Sequence, residues 1–315
     1  MKAVVLTKPT RGGDVRLTEC ALPKVRPGWV LVRVRAFGMN HSEQLLRLSE
    51  IRADHIRKPI IPGIECVGEI ADPSDSSFRK GQRVAALMGG MGRSFNGSYA
   101  EYALLPAHHV FAVSSELPWE ELAAVPETCF TAWGSLFTCL RLQPEDTLLV
   151  RGATCALGYA AIQLAKALGC RVIATARRES SLSLLSEADR AVLDTGRLEG
   201  TLPGVTKALE LVGPKTLSDT LRCMQKGGIV CSTGVLGGIY TLNGFDPIRD
   251  IPNGVYLTGF YSNSPTQESM DQIFRFLTER RLKPRIGKCF DFSRINQACA
   301  AQDAGTVSGK IVVRM

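Results

Sequence analysis

Up to Pro118 the chain sets short apolar runs between glycines and prolines. Ala3–Leu6, Trp29–Ala36 with its Val/Arg alternation, Val67–Ile70, Arg83–Leu87 and Tyr99–Leu105 read as strands, and their spacing predicts a compact, mostly β domain. The opening run from Met1 reads as an edge strand. After Pro118 the texture changes. Trp119–Ala124 and Thr131–Arg141 read as helices, and from Thr147 strand and helix signals alternate. Thr147–Val150 is a short apolar run suited to a strand buried on both faces. The helix after it places apolar residues at 157, 160, 161, 164, 165 and 168 and closes at Gly169. That is the stripe of a helix lying on a sheet.

Arg171–Thr175 is the next strand and Ser180–Ser186 a short helix. Further strands fall at Ala191–Leu193, Lys207–Leu211, Gly228–Ser232 and Val255–Phe260, and the alternation implies an open parallel sheet. After Pro265 a helix carries Met270, Ile273, Phe274 and Leu277 on one face, and Lys310–Val313 forms a last strand.

At 315 residues the chain is longer than one hydrophobic core usually grows, so two domains are expected. No apolar run approaches the roughly 20 residues that cross a bilayer, so no membrane partner is expected. The 10 cysteines stand singly, without a C-x-x-C pair. They read as reduced, core-filling thiols, which implies a reducing, cytoplasmic setting. The formal charge of +8 is scattered rather than massed, which argues against a nucleic-acid partner. A small polyanion needs only a few local cations and fits equally well.

The segment Arg151-Gly152-Ala153-Thr154-Cys155-Ala156-Leu157-Gly158 lies between a predicted strand and a predicted helix. In that context a helix N-terminus offers unpaired N–H groups and a positive dipole end to a pyrophosphate. Gly152 allows the tight turn and Gly158 the close helix–sheet packing; Ala153, Thr154 and Leu157 complete the expected cradle. An NAD site would place an acid about 20 positions further on. Here that place holds Arg177-Arg178, and the first acid is Glu179. Two arginines opening a helix oppose its dipole, and guanidinium groups suit a phosphate, so NADPH is favoured over NADH. The bland alternatives are a purely structural turn and solvated arginines.

With these elements placed, several phrases resemble the medium-chain dehydrogenase/reductase superfamily, in its zinc-independent quinone-oxidoreductase-like branch. They are Met1–Leu6, Ala36-Phe37-Gly38-Met39-Asn40, Pro62–Gly68, Gly97–Tyr102, Val125–Thr128 with Thr131-Ala132-Trp133, and Gly309–Val313. They run in order almost end to end. The resemblance implies an α/β fold: a Rossmann doubly wound parallel-sheet domain at 123–264 and a mostly β, GroES-like catalytic domain at 1–122, to which 265–315 return. It also implies a homodimer joined through the last Rossmann strands, around Val255–Phe260.

Zinc relatives carry a cysteine where Asn40 stands and a histidine where Ile64 stands, so no metal is expected, zinc needing three protein ligands and an open position. His41, His55, His108 and His109 offer no obvious substitute set. The implied activity is NADPH-dependent transfer of hydride to a quinone or α,β-unsaturated carbonyl, a small-molecule substrate. The resemblance assigns Asn40 to the nicotinamide ribose or acceptor oxygen, and Thr128 and Thr131 to the nicotinamide end. Gly234, Val235, Gly259, Phe260 and Tyr261 line the nicotinamide slot, or pack ordinarily at strand ends. Ser42 and Arg47 flank the substrate, with His41 as a proton donor or as a solvent-facing residue.

The chain departs from the pattern in three places, one being that no tyrosine follows Asn40 where some quinone reductases place one. Cys155-Ala156 replaces two glycines of many relatives, and the glycine-rich stretch Asp194–Lys207 leaves little room for a helix usual there. The trimmed stretch Asp194–Lys207 motivates one alternative, a recruited biosynthetic enzyme of the same fold with non-redox chemistry; a non-enzymatic NADPH-binding protein is another.

Overall fold

The computed structural model describes residues 1–315. The chain divides into Met1–Phe130 with Asn263–Met315, and Thr131–Ser262. No helix is long and apolar enough to cross a membrane.

The first unit holds β1 (Lys2–Val4), β2 (Leu17–Glu19), β3 (Trp29–Met39), β4 (Glu65–Asp72), β5 (Arg83–Leu87), β6 (Tyr102–Pro106) and β7 (Val110–Ala112). Its short helices are α1 (His41–Leu48) and α2 (Trp119–Ala123), with α3 (Pro126–Trp133) at the division. The long β3 organises this unit, pairing antiparallel with β4 and with β6. Its alternation puts Val30, Val32 and Val34 inside while Arg33 faces water, the period-2 pattern of a half-buried strand. Phe37 then stacks on Tyr99 with ring centroids 4.5 Å apart.

The second unit is a six-stranded parallel sheet of β8 (Thr147–Arg151), β9 (Arg171–Ala176), β10 (Arg190–Leu193), β11 (Lys207–Glu210), β12 (Ile229–Ser232) and β13 (Tyr256–Gly259). Its order, β10-β9-β8-β11-β12-β13, is doubly wound, reversing direction of progression beside β8. Helix α4 (Ala156–Leu168) connects β8 to β9 and ends on Gly169, whose φ of 106° is left-handed. Helix α5 (Pro214–Arg222) connects β11 to β12.

Three local expectations differ from this picture or sharpen in it. The helix read at Thr131–Arg141 is α3 followed by a π-helical segment, Gly134–Cys139. A Cβ at Gly134, the first residue of that segment, would overlap the Phe260 ring packed against it. The short helix after β9 is a 3-10 turn, Glu179–Leu185. Between β10 and β11 there is no helix, and Gly196, Gly200 and Gly204 all adopt positive φ there.

The chain then forms α6 (Pro247–Asp250) within the second unit and, in the first, α7 (Gln267–Glu279), β14 (Ile286–Asp291), α8 (Ile295–Ala304) and β15 (Lys310–Arg314). Strand β15 pairs antiparallel with β3, setting Val312 opposite Gly38, and β14 extends the sheet beyond it. Lys310, at the start of that strand, is thereby placed beside Asn40.

Candidate functional site

In the second unit the turn after β8 is fastened to β9. Gly152 N donates to Thr175 Oγ1 (3.1 Å) and Ala153 N to the Thr175 carbonyl (3.0 Å). Gly152 has a φ of 83°, which a side chain would strain. A Cβ at Gly158 would overlap the Ala153 carbonyl, so the first turn of α4 lies directly on the bend. That turn carries no acidic residue, leaving its dipole end open to an anion. Thr154 and Leu157 are half-buried along it. Cys155 is the N-cap, its sulfur accepting from Gly158 N (3.3 Å). One of the first-turn amides is therefore already engaged by the residue that replaces glycine.

Arg177 and Arg178 follow β9 immediately and are exposed. Gly234 and Val235 follow β12, and a Cβ at Gly234 would overlap the Leu211 carbonyl. Gly259 ends β13; Phe260 is half-buried against Gly134, whereas Tyr261 is 80% exposed. Thr131 is buried, and its carbonyl accepts from Ser135 Oγ (2.7 Å). The bend, the arginine pair and Gly234 all sit at carboxyl ends of parallel strands, where doubly wound sheets bind ligands. These residues suit a dinucleotide: a bend with no room for a side chain at Gly158 and a positive φ at Gly152, a helix end without acidic residues and with only one amide taken by Cys155, and guanidinium groups one strand away.

The same strand ends hold a charged network that the sequence reading missed. Arg151 is fully buried. Its Nε and Nη2 donate to Asp194 (2.8 and 2.9 Å), and its Nη1 to Asp219 (2.6 Å) and Thr220 Oγ1 (2.9 Å). Glu210 accepts from Val212 N (2.7 Å), Gly213 N (3.0 Å) and the Thr220 hydroxyl. Burial pushes the Glu210 carboxyl up, with those hydrogen bonds and Arg151 opposing. Asp194 is held below its ordinary value because the Arg151 hydrogen bonds and charge outweigh its burial. The available signal was a charged residue closing a strand expected to be buried on both faces: such a charge needs buried partners.

In the first unit Asn40, Glu65, Thr128 and Lys310 converge. Lys310 Nζ donates to Asn40 Oδ1 (2.6 Å) and Thr128 Oγ1 (2.8 Å), and lies 2.6 Å from Glu65 Oε1. Asn40 Nδ2 donates to the same Glu65 oxygen (2.8 Å), while Glu127 N donates to Glu65 Oε2 (2.8 Å). Gly38 makes room for the arrangement, since a Cβ there would overlap the Lys310 stem. Burial alone would lower the Lys310 ammonium, but the Glu65 and Glu127 carboxylates outweigh it and hold it above its ordinary value. Beside it Glu43, on α1, accepts from Asn40 N (2.8 Å) and Ile64 N (3.0 Å). Burial pushes its carboxyl up to about 7.

Both ends of the Asn40 amide are thus engaged inside this cluster, so it is held in position rather than left open as a donor. His41 is exposed and shares a hydrogen bond with Gln44 Oε1 (2.8 Å). Ser42 is half-buried, its carbonyl accepting from Arg93 Nη2 (3.1 Å). Arg47 is a correction to the sequence reading. It is buried, ion-paired with Asp303 of α8 (2.5 Å) and donating to the Thr10 carbonyl (2.9 Å). Helix packing between α1 and α8 consumes its donors, so it does not flank a substrate.

Two family models match the chain: "Alcohol dehydrogenase GroES-like domain" over residues 26–115 and "Zinc-binding dehydrogenase" over 156–279. The quinone oxidoreductase of Homo sapiens is 27% identical over 299 residues, spanning 89% of this chain and 87% of that protein. The crystal structure of AibC is similar with a TM-score of 0.89 and 26% identity, covering 100% of this chain and 95% of that one. Mycobacterial Rv1454c, solved with NADPH, matches with a TM-score of 0.87, 22% identity and full coverage of both chains. The zinc in the second model's description does not fit the side chains here. Position 40 is an amide, position 64 a buried aliphatic, Glu65 is committed to Lys310, and no group of three or more His, Cys, Asp or Glu residues could hold a metal ion.

Proposed function

Because the chain belongs to the medium-chain dehydrogenase/reductase superfamily, quinone-oxidoreductase-like, we propose that it is an NADPH-dependent reductase of quinones or α,β-unsaturated carbonyls. The observation that carries the cofactor is the bend at Gly152–Gly158 with two exposed guanidinium groups at the end of β9. When bound, NADPH supplies a hydride to an electron-poor carbon of the acceptor.

The chain's own residues orient and hold. First-turn amides of α4 and its dipole take the pyrophosphate, with Gly152, Ala153, Thr154, Leu157 and Gly158 forming the bend. Arg177 and Arg178 take the 2′-phosphate, to which a guanidinium can donate bidentately. Gly234 and Val235, with Gly259 and Phe260, approach the nicotinamide by backbone, and Thr131 keeps its orienting role. In the first unit Lys310 and Glu65 hold Asn40 and Thr128 at fixed positions. With an amide and an aliphatic where zinc relatives have ligands, an acceptor that needs little polarisation of its oxygen suits this chain. Quinones and enones meet that demand.

Titration of the purified protein with NADPH and NADH by cofactor fluorescence tests the first half of this reading. Turnover of NADPH against a panel of quinones and enals tests the second. No binding of NADPH would remove the cofactor assignment, and binding without turnover would favour a sensor or a non-redox enzyme. The Cys155 cap and the missing helix between β10 and β11 are the observations on the side of that second reading.

A homodimer through β13 belongs to the same proposal. That strand is the edge of the six-stranded sheet, and Tyr256 on it is 61% exposed. An unpaired edge of this kind is a template for a second copy of the chain. Light scattering at working concentration separates dimer from monomer.

A further inference from the structure

The bend that starts at Gly152 hangs from a buried side-chain relay. Gly152 N donates to Thr175 Oγ1 (3.1 Å). A hydroxyl that has accepted this amide still carries its own hydrogen, and Asp194 Oδ2 takes it (3.4 Å). The same carboxylate oxygen accepts from Arg151 Nε (2.8 Å), while Asp194 Oδ1 accepts from Arg151 Nη2 (2.9 Å) and Gly196 N (2.8 Å). Thr175, Asp194 and Arg151 are all buried. Because Arg151 and Gly152 are chain neighbours, the relay closes on itself. It runs from Gly152 to β9, on to the end of β10, and back to β8 through the guanidinium.

The other side of the guanidinium is anchored as well. Arg151 Nη1 donates to Asp219 Oδ2 on α5 (2.6 Å), and Asp219 also accepts from Leu198 N (2.8 Å) and Glu199 N (3.2 Å). The stretch without a helix between β10 and β11 is thereby tied to α5 by a carboxylate rather than by helix packing.

We propose that Thr175 and Asp194, with Arg151 holding Asp194 in place, are positioning residues for the pyrophosphate of the dinucleotide: they set the Gly152 bend beneath the first turn of α4. This deepens the cofactor reading above and rests on it.

The relay has one direction only. The Arg151 hydrogen bonds and charge hold the Asp194 carboxyl below its ordinary value, so it accepts the hydroxyl hydrogen and offers none. The Thr175 oxygen is thereby left facing Gly152 as an acceptor. Gly152 N and Ala153 N are both spent on Thr175, so neither is spare for a ligand. The bend serves a pyrophosphate by aiming the amides of α4, and Thr175 acts through the bend. NADPH and NADH share that pyrophosphate, so losing the hydroxyl weakens both alike, by roughly three- to tenfold.

The test compares the full chain with Thr175→Val, which keeps the shape and removes the hydroxyl, and Thr175→Ser, which keeps the hydroxyl. NADPH and NADH are titrated by fluorescence, and amide hydrogen exchange is followed by mass spectrometry on the peptide bearing Gly152. In Thr175→Val that peptide is expected to exchange faster, and both affinities to fall by the same factor, leaving their ratio unchanged. Thr175→Ser is expected to restore exchange and affinity together. Where the valine is not tolerated, Thr175→Ala against Thr175→Ser makes the same comparison. Asp194→Asn is expected to weaken NADPH binding in the wild-type background and to add nothing to Thr175→Val, since Asp194 acts through that hydroxyl. A folded Thr175→Val with wild-type affinity overturns the proposal, as does a loss confined to NADPH or one that Thr175→Ser fails to restore. Additive losses overturn the part given to Asp194. If the wild-type chain binds neither nucleotide, the cofactor reading itself fails and takes the positioning role with it.

Discussion

Lys310 Nζ stands 2.6 Å from Glu65 Oε1, with side-chain exposures of only 2% and 0%. An ion pair so far from water persists because Asn40, Thr128 and the Glu127 amide satisfy its remaining donors and acceptors. Removing one partner strands the other. Lys310→Met is therefore expected to destabilise the protein by about 3–5 kcal/mol, whereas Lys310→Met with Glu65→Gln recovers part of the loss. Urea unfolding of the single and double variants measures both.

The arginine pair after β9 gives a cleaner functional prediction. Replacing Arg177 and Arg178 by alanine removes charge-assisted hydrogen bonds of about 1.5–3 kcal/mol to a phosphate. NADPH affinity is expected to fall by roughly ten- to a hundredfold while NADH affinity stays within about twofold. Equal losses for the two nucleotides in fluorescence titrations would show that neither arginine reads the 2′-phosphate.

Gly158 is tested by a single methyl group. Gly158→Ala pushes a Cβ into the Ala153 carbonyl, which is backbone and held by β9. The expected cost is about 1–3 kcal/mol of stability, with a loss of NADPH affinity as the bend moves off α4. Thermal unfolding with and without nucleotide reports both.

Glu43 predicts a pH dependence. Its folded carboxyl is raised from 4.5 to about 7, so between those values the folded state binds the proton that the unfolded chain has released. Its contribution is fully present below the unfolded value and declines as pH rises through the folded one, up to about 3 kcal/mol in all. Wild type should lose more stability than Glu43→Gln between about pH 4.5 and about pH 7.5 in urea titrations. Parallel curves would mean that another group sets the slope.

Much of the fold was legible because its elements obey local rules. The Val/Arg alternation of β3, the apolar stripe of α4 closed by Gly169, and the glycines at 196, 200 and 204 each point to what forms there. The bend at Gly152 was legible for the same reason: strand, glycine and helix are contiguous. What stayed hidden depends on partners distant in sequence. Arg47 looks like a substrate-side cation until α8 brings Asp303 to it. Arg151 gives no hint of Asp194 or Asp219, and Lys310 reads as one letter of a terminal motif until β15 pairs with β3 and sets its ammonium on Asn40. The π-helical segment also escaped, since the aromatic ring packed against its Gly134 comes from beyond β13.

The missing Cβ at position 38 has a consequence for how this chain can change. The space it vacates is filled by the stem of Lys310, whose head neutralises Glu65. A larger residue at 38 would evict the lysine, and the orphaned carboxylate would then have to be replaced as well. Positions 38, 65 and 310 therefore behave as one unit of variation, exchangeable together and resistant to replacement one at a time.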